Sequence, residues 1–252
     1  MIVLESVSKT YAQSRVRAVD GLSLQVPDGC IFGFLGPNGA GKTTTIRIMT
    51  GALEPDEGTI TLDGIRLDEH PEEAKRRFGL VPDTPDLFSR LKAWEFLNFA
   101  ADVYRVPDDL RKERIATLAR KFELEDKLGS AIGSMSRGMR QKLNIIASLV
   151  HQPHNWILDE PIVGLDPHAA FALKGLMREH AARGGTVFFS THVMEVAERL
   201  CDQLAIINKG RLMFTGSLED LRSMREHGRQ AVGNEDLESL FLALVEEEDH
   251  VS

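Results

Sequence analysis

Apolar residues along the chain follow two periodicities, which predict alternating strands and helices. Short runs rich in β-branched and apolar residues predict strands at about 2–7, 17–26, 31–35, 59–62, 78–82, 155–159, 186–190, 204–208 and 211–215. Apolar residues recurring at steps of three and four predict helices at about 42–51, 92–104, 109–122, 139–151, 168–182, 193–200, 217–225 and 235–247. This alternation is typical of an α/β fold with a mostly parallel sheet.

One part of the chain breaks the alternation. Residues about 84–152 carry helical patterns without a convincing strand, so we interpret them as an α-helical lobe inserted into the parallel core. The early strands and their turns predict a small antiparallel β lobe beside that core. We expect one domain over residues 1–227 and a helical tail over residues 228–252, joined by a flexible segment from Gly228 to Gly233.

The predicted tail helix has one apolar face, which must pack against the rest of the molecule. Its apolar residues lie at helical spacing and are Leu237, Leu240, Phe241, Leu244 and Val245.

Composition excludes several classes of protein. The 252 residues are 42% hydrophobic and 27% charged, which argues against intrinsic disorder. Thirty basic and 38 acidic residues give a net charge of −8, the wrong sign for a surface that follows a phosphate backbone, so no nucleic-acid partner is expected. The two cysteines, Cys30 and Cys201, lie far apart in the sequence, which favours reduced thiols over a disulfide framework.

Apolar runs in the sequence are too short to cross a bilayer, because a spanning helix needs roughly 20 such residues. The first residues also lack the basic and apolar regions of a secretory signal. We therefore expect the chain in the cytoplasm.

A phosphate-binding motif follows the strand predicted at 31–35. The pattern G-x-x-x-x-G-K-[ST] is matched by Gly36, Pro37, Asn38, Gly39, Ala40, Gly41, Lys42 and Thr43, with Thr44 next to it. In such a loop the backbone N–H groups and the helix N-terminus surround the phosphates, and Lys42 reaches their oxygens. Thr43 would ligate Mg²⁺. A glycine-rich turn without function is the alternative, but strand, loop and helix occur together here.

Two adjacent carboxylates end another apolar strand, at 155–159. Asp159 is predicted to hold Mg²⁺, and Glu160 to face the terminal phosphate and the attacking water. Two adjacent acids alone are more often part of a solvated loop. Together with the phosphate-binding motif, they predict a site for nucleotide hydrolysis.

The order of the motifs resembles the nucleotide-binding subunit of an ABC transporter over nearly the whole chain, and that family has a phosphate-loop (RecA-like) core. The segment from Met135 to Gln141, M-S-R-G-M-R-Q, stands where the family usually has L-S-G-G-Q. Ser136 and Gly138 match, and Arg137 replaces the first glycine, a departure similar to those of the branch that serves ABC-2-type exporters. The resemblance implies that this segment completes the ATP site of the opposite subunit in a head-to-tail dimer.

Two further motifs support the resemblance. Gly164-Leu165-Asp166-Pro167 resembles the D-loop, which implies that Asp166 acts across the dimer. Ser190-Thr191-His192 resembles the switch motif, in which His192 senses the terminal phosphate. Without the other motifs, the segment at Gly164 would be interpreted as a turn and His192 as a surface histidine.

The adenine and metal contacts implied by the resemblance involve three more residues. Tyr11 stands where the family has an aromatic residue that stacks on adenine, and Val19 would pack against the same ring. Asp83 stands where most members have a Gln that reaches Mg²⁺. It is shorter and anionic and lacks the amide donor, so it either contributes to the metal site or is only a turn residue.

The resemblance implies an ATPase that uses Mg²⁺ and works as a homodimer or as a heterodimer with a related subunit. It also implies a separate integral membrane permease, which this chain would drive from the cytoplasmic face of the membrane, in the export direction. The contact would lie between about Asp83 and Lys127, although most apolar residues there pack the lobe itself. Two alternatives stay open: a soluble ABC-type ATPase that acts on a cytosolic assembly, and a poorly hydrolysing, nucleotide-gated regulatory subunit.

Overall fold

The computed structural model describes residues 1–11, 16–84, 88–226, 237–242 and 244. Its strands form two sheets. The smaller sheet is antiparallel, in the order β2-β1-β4-β5. Its strands are β1 (Ile2–Tyr11), β2 (Val16–Val26), β4 (Glu57–Leu62) and β5 (Ile65–Arg66).

The larger sheet has six strands and is parallel except at one edge. Its strands are β3 (Ile31–Leu35), β6 (Phe78–Val81), β7 (Asn155–Asp159), β8 (Thr186–Thr191), β9 (Gln203–Asn208) and β10 (Arg211–Gly216). Their order is β10-β9-β3-β8-β7-β6, and only β10 runs antiparallel to its neighbour. Every residue of β3, β7 and β8 is buried, because helices and the smaller sheet cover both faces.

Helices follow most strands of the larger sheet, as parallel pairing requires. The α-helices are α1 (Lys42–Met49), α2 (Pro71–Lys75), α3 (Ala93–Val103), α4 (Asp108–Lys121), α5 (Arg137–Leu149), α6 (Pro167–Ala182), α7 (Met194–Leu200) and α8 (Leu218–Glu226). Short 3-10 turns lie at Glu125–Lys127 and Ile132–Ser134. Helices α3, α4 and α5 lie between β6 and β7 in the chain, and we call the residues from Phe88 to the end of α5 the helical lobe.

Two large apolar clusters hold these layers together. One joins α3, α4 and α5 to one face of the large sheet through Trp156, Phe122 and Phe189. The other joins the opposite face to the antiparallel sheet and α1 through Phe32, Phe34 and Phe188, with the rings of Phe32 and Phe188 stacked. Since Phe188 and Phe189 are neighbours on β8, their opposite directions reflect the alternation of side chains along a strand.

Strand register brings three loops to one edge of the large sheet. Leu35 on β3 pairs with Thr191 on β8, and Asp159 on β7 pairs with Ser190 on β8. The residues that follow these strands therefore emerge side by side at their carboxyl ends, where open α/β sheets bind ligands.

The fold class predicted from the sequence is confirmed: the protein is α/β, with a mostly parallel sheet, a small antiparallel sheet and helices. The predicted strands are all present, and most boundaries agree within about three residues, although β1 continues to Tyr11. The prediction missed β5 and α2, which are only two and five residues long. Elements this short do not show enough periodicity to be recognised.

The tail helix is present where the structure describes it, with residues 237–242 and 244 helical. Leu237, Leu240, Phe241 and Leu244 are buried in a third apolar cluster. The same cluster includes Leu35, which precedes the phosphate-binding loop, and Met194, the first residue of α7. The predicted joint at 228–233, Val245 and the helix end at 247 lie outside the described residues, and the division at 227 stays a prediction.

Candidate functional site

The phosphate-binding motif forms the turn between β3 and α1. Gly41 has φ 109°, in the left-handed region, and a Cβ there would lie 2.4 Å from the carbonyl oxygen of Ala18 on β2. Only glycine combines that conformation with that close approach. Lys42, the first residue of α1, is buried, and its Nζ donates to the carbonyl oxygens of Gly36 at 2.7 Å and Pro37 at 3.2 Å. The loop therefore closes around its own lysine at the N-terminus of a helix.

Asp159 ends β7 with its carboxylate buried. Its Oδ1 accepts a 2.6 Å hydrogen bond from Ser190 Oγ on β8, and the carboxylate also accepts one from the Thr43 side chain. Burial raises the pKa of the Asp159 carboxyl, while the bonds from Ser190 and Thr43 oppose that rise by favouring the anion. The site thus holds a desolvated carboxylate between the end of a strand and the first residues of α1.

Glu160 projects from the next position, in an unusual backbone conformation. Its φ of 47° is rare for a residue with a side chain. Its N–H donates to Ser190 Oγ at 3.0 Å, so the Ser190 hydroxyl bonds both Asp159 and Glu160. The Ser190 hydroxyl therefore holds the turn at the end of β7, from which the two carboxylates point in different directions.

The Glu160 carboxylate lies between two basic groups. Its Oε1 is 2.9 Å from Nδ1 of His192 and 3.5 Å from Nζ of Lys42. His192 follows β8 and is half-exposed, whereas Lys42 is buried. A carboxylate held in this way at the rim of a phosphate-binding loop is placed to orient water or accept its proton.

A cleft of about 640 Å³ opens beside these groups. Residues predicted from the sequence line it, namely Tyr11, Asn38, Gly39, Gly41, Lys42, Thr43, Thr44, Asp83 and Glu160. The Tyr11 hydroxyl lies 3.4 Å from Thr44 Oγ1, which places the tyrosine ring at the same end of the cleft as the start of α1. The structure therefore gathers predicted residues that lie up to 149 positions apart, Tyr11 and Glu160, into one cavity.

Val19 lies elsewhere. It is fully buried in the cluster beneath the antiparallel sheet, with Val7 and Leu22, and the cleft is lined instead by its neighbours Val16, Arg17 and Ala18. The expected packing of Val19 against an adenine ring is not supported, because its side chain belongs to the core.

Sequence reasoning also missed part of the lining of the cleft. Lys209 and Gly210, in the turn between β9 and β10, line it. The Gly210 N–H donates to the Ala40 carbonyl at 2.9 Å, which ties that turn to the phosphate-binding loop. An N-K-G turn is common in hairpins, so the sequence carried no signal for this placement.

The oxygen atoms near Thr43 suit a magnesium ion. The hydroxyl of Thr43 and the carboxylates of Asp159 and Asp83 are hard oxygen donors, the type that Mg²⁺ prefers. Asp83 borders the same cleft, and its negative charge adds to the rise in the pKa of Asp159. A bound cation would offset the repulsion between these carboxylates, so the donor set fits the ion.

The segments that resemble the signature and the D-loop lie apart from this cleft. Among the described residues, its lining includes none of Ser136, Arg137, Gly138 and Asp166. Ser136 caps α5, its Oγ accepting from the Met139 N–H at 3.2 Å. Asp166 caps α6 in the same way. Each side chain thus caps its own helix, and their action on a second subunit stays a prediction.

Comparisons with known proteins agree with this arrangement. The family described as ABC transporter matches residues 19–163. The chain is 34% identical over 246 residues to the ABC transporter ATP-binding protein NatA of Bacillus subtilis, covering 96% of this chain and 97% of that protein. It is 38% identical over 221 residues to the Nod factor export ATP-binding protein I of Ralstonia nicotianae, covering 88% and 68%.

Solved structures give the same result. A structure described as the ATP-binding subunit of an ABC transporter is 35% identical, with a TM-score of 0.89, and the match covers 97% of this chain and 99% of that one. A dimeric ATP-binding cassette in a post-hydrolysis state, bound to ADP and Pi, is 25% identical, with a TM-score of 0.78, covering 86% and 99%.

Proposed function

Since the chain belongs to the ABC transporter family as an ATP-binding ATPase subunit, we propose that it dimerises around two Mg-ATP and drives a separate membrane permease in the export direction. The observation that carries the proposal is the position of Glu160 between Lys42 and His192 at the rim of the phosphate-binding loop. The other residues of the cleft bind and orient the nucleotide.

The chain's own groups divide the work of hydrolysis. The backbone of the loop and Lys42 bind the phosphates, and Tyr11, which lies beside Thr44 in the same cleft, stacks on the base. Glu160 orients the attacking water and takes its proton, while His192 holds the carboxylate in place through Nδ1 and contacts the terminal phosphate.

Mg²⁺, when bound, supplies positive charge that offsets the charge of the phosphate oxygens, and Thr43, Asp159 and Asp83 would hold it. Most members of the family that this chain resembles have Gln at the position of Asp83. In the proposed site Asp83 keeps an oxygen donor and adds one negative charge.

Asp83→Gln is therefore expected to weaken Mn²⁺ binding to the nucleotide-free protein, measured by the electron paramagnetic resonance of free Mn²⁺. Unchanged Mn²⁺ binding would remove Asp83 from the metal site.

The role of Glu160 is tested by Glu160→Gln, which keeps the shape of the side chain but removes the base. We expect turnover to fall by roughly 10²–10⁴-fold, the size of one general-base contribution, with the affinity for a fluorescent ATP analogue retained. Glu179→Gln is the matched control, because Glu179 is exposed on α6 and pairs with Lys121 away from the cleft. Turnover by Glu160→Gln equal to that of the wild type would reject the assignment. Near-zero turnover by the wild type, with ATP-dependent dimerisation, would favour the regulatory alternative.

Dimerisation is supported by the dimeric relative and by the position of Ser136 and Asp166 at helix N-termini outside the cleft. Those two residues, with Arg137 and Gly138, would face the nucleotide of a second subunit, which is a second copy or a close relative. The helix N-terminus at Ser136 favours a negatively charged phosphate. Glu160→Gln protein is expected to dimerise on addition of ATP, which analytical ultracentrifugation measures.

Contact with a permease is supported by apolar side chains exposed on the helical lobe. Phe88, Trp94 and Phe99 are 60%, 45% and 49% exposed, and the rings of Phe88 and Phe99 meet edge to face at 5.9 Å. In the part of the chain that the structure describes, no helix has the length and apolar character to cross a membrane. A permease that docks on this patch would hold the chain at the cytoplasmic face of the membrane. The export direction is supported by relatives such as the Nod factor export protein.

The patch is tested with Phe99→Ser, and Phe171→Ser serves as the control because Phe171 is 77% exposed on α6. Tagged proteins in the Glu160→Gln background are purified from detergent-solubilised membranes and from cytosol. We expect a protein with several membrane spans to co-purify with the parent and the control, and to be lost with Phe99→Ser. Recovery of soluble partners only would favour the alternative of a cytosolic assembly ATPase.

A further inference from the structure

Two segments proposed to act on the opposite subunit meet within this one chain. They are the N-terminus of α5, from Ser136, and the turn from Gly164 to Asp166 that leads into α6. A Cβ at Gly138 would lie 2.8 Å from the carbonyl oxygen of Gly164, so the two backbones are in direct contact. The absence of a side chain at Gly138 permits this approach.

An ion pair joins the same two segments one turn further along α5. Lys142 Nζ lies 2.8 Å from Asp166 Oδ2, while Asp166 Oδ1 accepts the Ala169 N–H at 2.8 Å. Both carboxylate oxygens are thus engaged, one in capping α6 and the other in binding α5. The hydrogen bond from Lys142 lowers the pKa of the Asp166 carboxyl, which keeps it anionic.

Burial distinguishes the two partners. Lys142 is 8% exposed, whereas about half of the Asp166 side chain is accessible. Burying an ammonium without a partner is unfavourable in free energy, so Lys142 favours the conformation in which Asp166 remains paired with it. The lysine itself is too buried to reach a second subunit and must act through the aspartate.

Helix α5 makes the connection rigid. Lys142 lies six residues after Ser136 on one continuous helix, about 9 Å along its axis at 1.5 Å per residue. The ion pair and the contact between Gly138 and Gly164 therefore fix the turn at Asp166 relative to Ser136. The two segments form one surface before any partner arrives.

We infer that Lys142 is a positioning residue for the ATP-dependent dimer, which it serves by holding Asp166 in register with Ser136. The inference rests on the proposed dimerisation. Nucleotide binding to the chain's own cleft does not depend on this ion pair, since neither Lys142 nor Asp166 lines the cleft among the described residues.

The test is Lys142→Met in the Glu160→Gln background, with Lys121→Met as a matched control. Lys121 of α4 pairs with Glu179 of α6 at 2.7 Å, so the control also removes a lysine that joins α6 to the helical lobe, but at an exposed site. Analytical ultracentrifugation with ATP measures the dimer dissociation constant. We expect Lys142→Met to raise it at least tenfold, Lys121→Met to leave it within about twofold, and Lys142→Arg to restore most of the affinity.

A second measurement separates positioning from a general loss of structure. The affinity of each monomer for a fluorescent ATP analogue is expected to stay within about twofold of the parent. If Lys142→Met does not fold, Lys142→Gln takes its place, because its shorter, uncharged side chain also removes the ion pair with Asp166, and the same weakening of the dimer is expected.

The outcomes distinguish the two proposals. Dimerisation of Lys142→Met as tight as that of the parent overturns the role of Lys142 and leaves the proposed function intact. Equal weakening by Lys121→Met also overturns it, because the effect would then belong to any link between the helical lobe and α6. Failure of the parent itself to dimerise with ATP overturns the proposed function and this inference with it.

Discussion

Replacing Ser190 with alanine would test whether one hydroxyl sets the positions of both acidic residues in the site. The hydroxyl is fully buried, donates to Asp159 Oδ1 at 2.6 Å and accepts from the Glu160 N–H at 3.0 Å. Alanine removes both bonds without adding atoms. The variant therefore measures the contribution of these two interactions to stability and to turnover.

The magnitude follows from the type of each bond. A hydrogen bond to a charged group contributes about 1.5–3 kcal/mol and a neutral one about 0.5–1.5 kcal/mol, so we expect Ser190→Ala to lower the free energy of unfolding by about 2–4.5 kcal/mol. Turnover should fall by roughly tenfold to a hundredfold, because Asp159 and the turn at Glu160 both lose their anchor. Urea unfolding followed by tryptophan fluorescence gives the first quantity, and steady-state ATP hydrolysis gives the second.

Ser148→Ala is the matched control. The Ser148 hydroxyl is also buried and makes two bonds, donating to the Ile145 carbonyl at 2.8 Å and accepting from Trp156 Nε1 at 3.0 Å. Both partners are neutral and belong to the core, so stability should fall by about 1–3 kcal/mol with turnover unchanged. Wild-type turnover by Ser190→Ala would refute the reasoning, as would an equal loss of turnover in Ser148→Ala.

Three further outcomes follow from the geometry. Gly41→Ala should abolish binding of a fluorescent ATP analogue, since the added methyl group would lie 2.4 Å from the Ala18 carbonyl at φ 109°; retained binding would contradict this. Burial lowers the pKa of His151 to about 4, below its usual 6.5, so its stabilising contribution is complete above about pH 6.5 and is lost as pH falls towards 4. The free energy of unfolding, measured with urea, should therefore fall less steeply in His151→Gln than in the wild type as the pH is lowered from 7 to 4.5. Equal pH dependence in the two proteins would reject this. Burial raises the pKa of Cys30 to about 11 and that of Cys201 further, so native protein should react with a thiol reagent far more slowly than unfolded protein at pH 8; equal rates would refute it.

The sequence predicts those parts of the site that depend only on residues close together in the chain. The run from Gly36 to Thr43 predicts a phosphate-binding loop because the glycines, the lysine and the flanking strand and helix are all within a few residues of one another. Asp159 and Glu160 were predicted for the same reason, since an apolar strand that ends in two acids is visible in a short window. The fold class followed from the order of such elements.

Pairings between distant segments were not visible in the sequence. Ser190 was identified only as part of a motif that precedes His192, and its bonds to Asp159 and Glu160 depend on the register of β7 against β8. Lys142 showed no signal, because a lysine on a helix is usually solvated. Its role depends on α6 arriving beside α5.

Packing also decided where side chains point when local rules allowed more than one answer. Val19 and Ala18 are neighbours on β2, and only the position of the antiparallel sheet over the core places Val19 inside and Ala18 at the cleft. Local sequence motifs determined which chemical groups are present for the site. Contacts between residues far apart in sequence determined which of them meet, because burial and strand register are properties of the assembled layers.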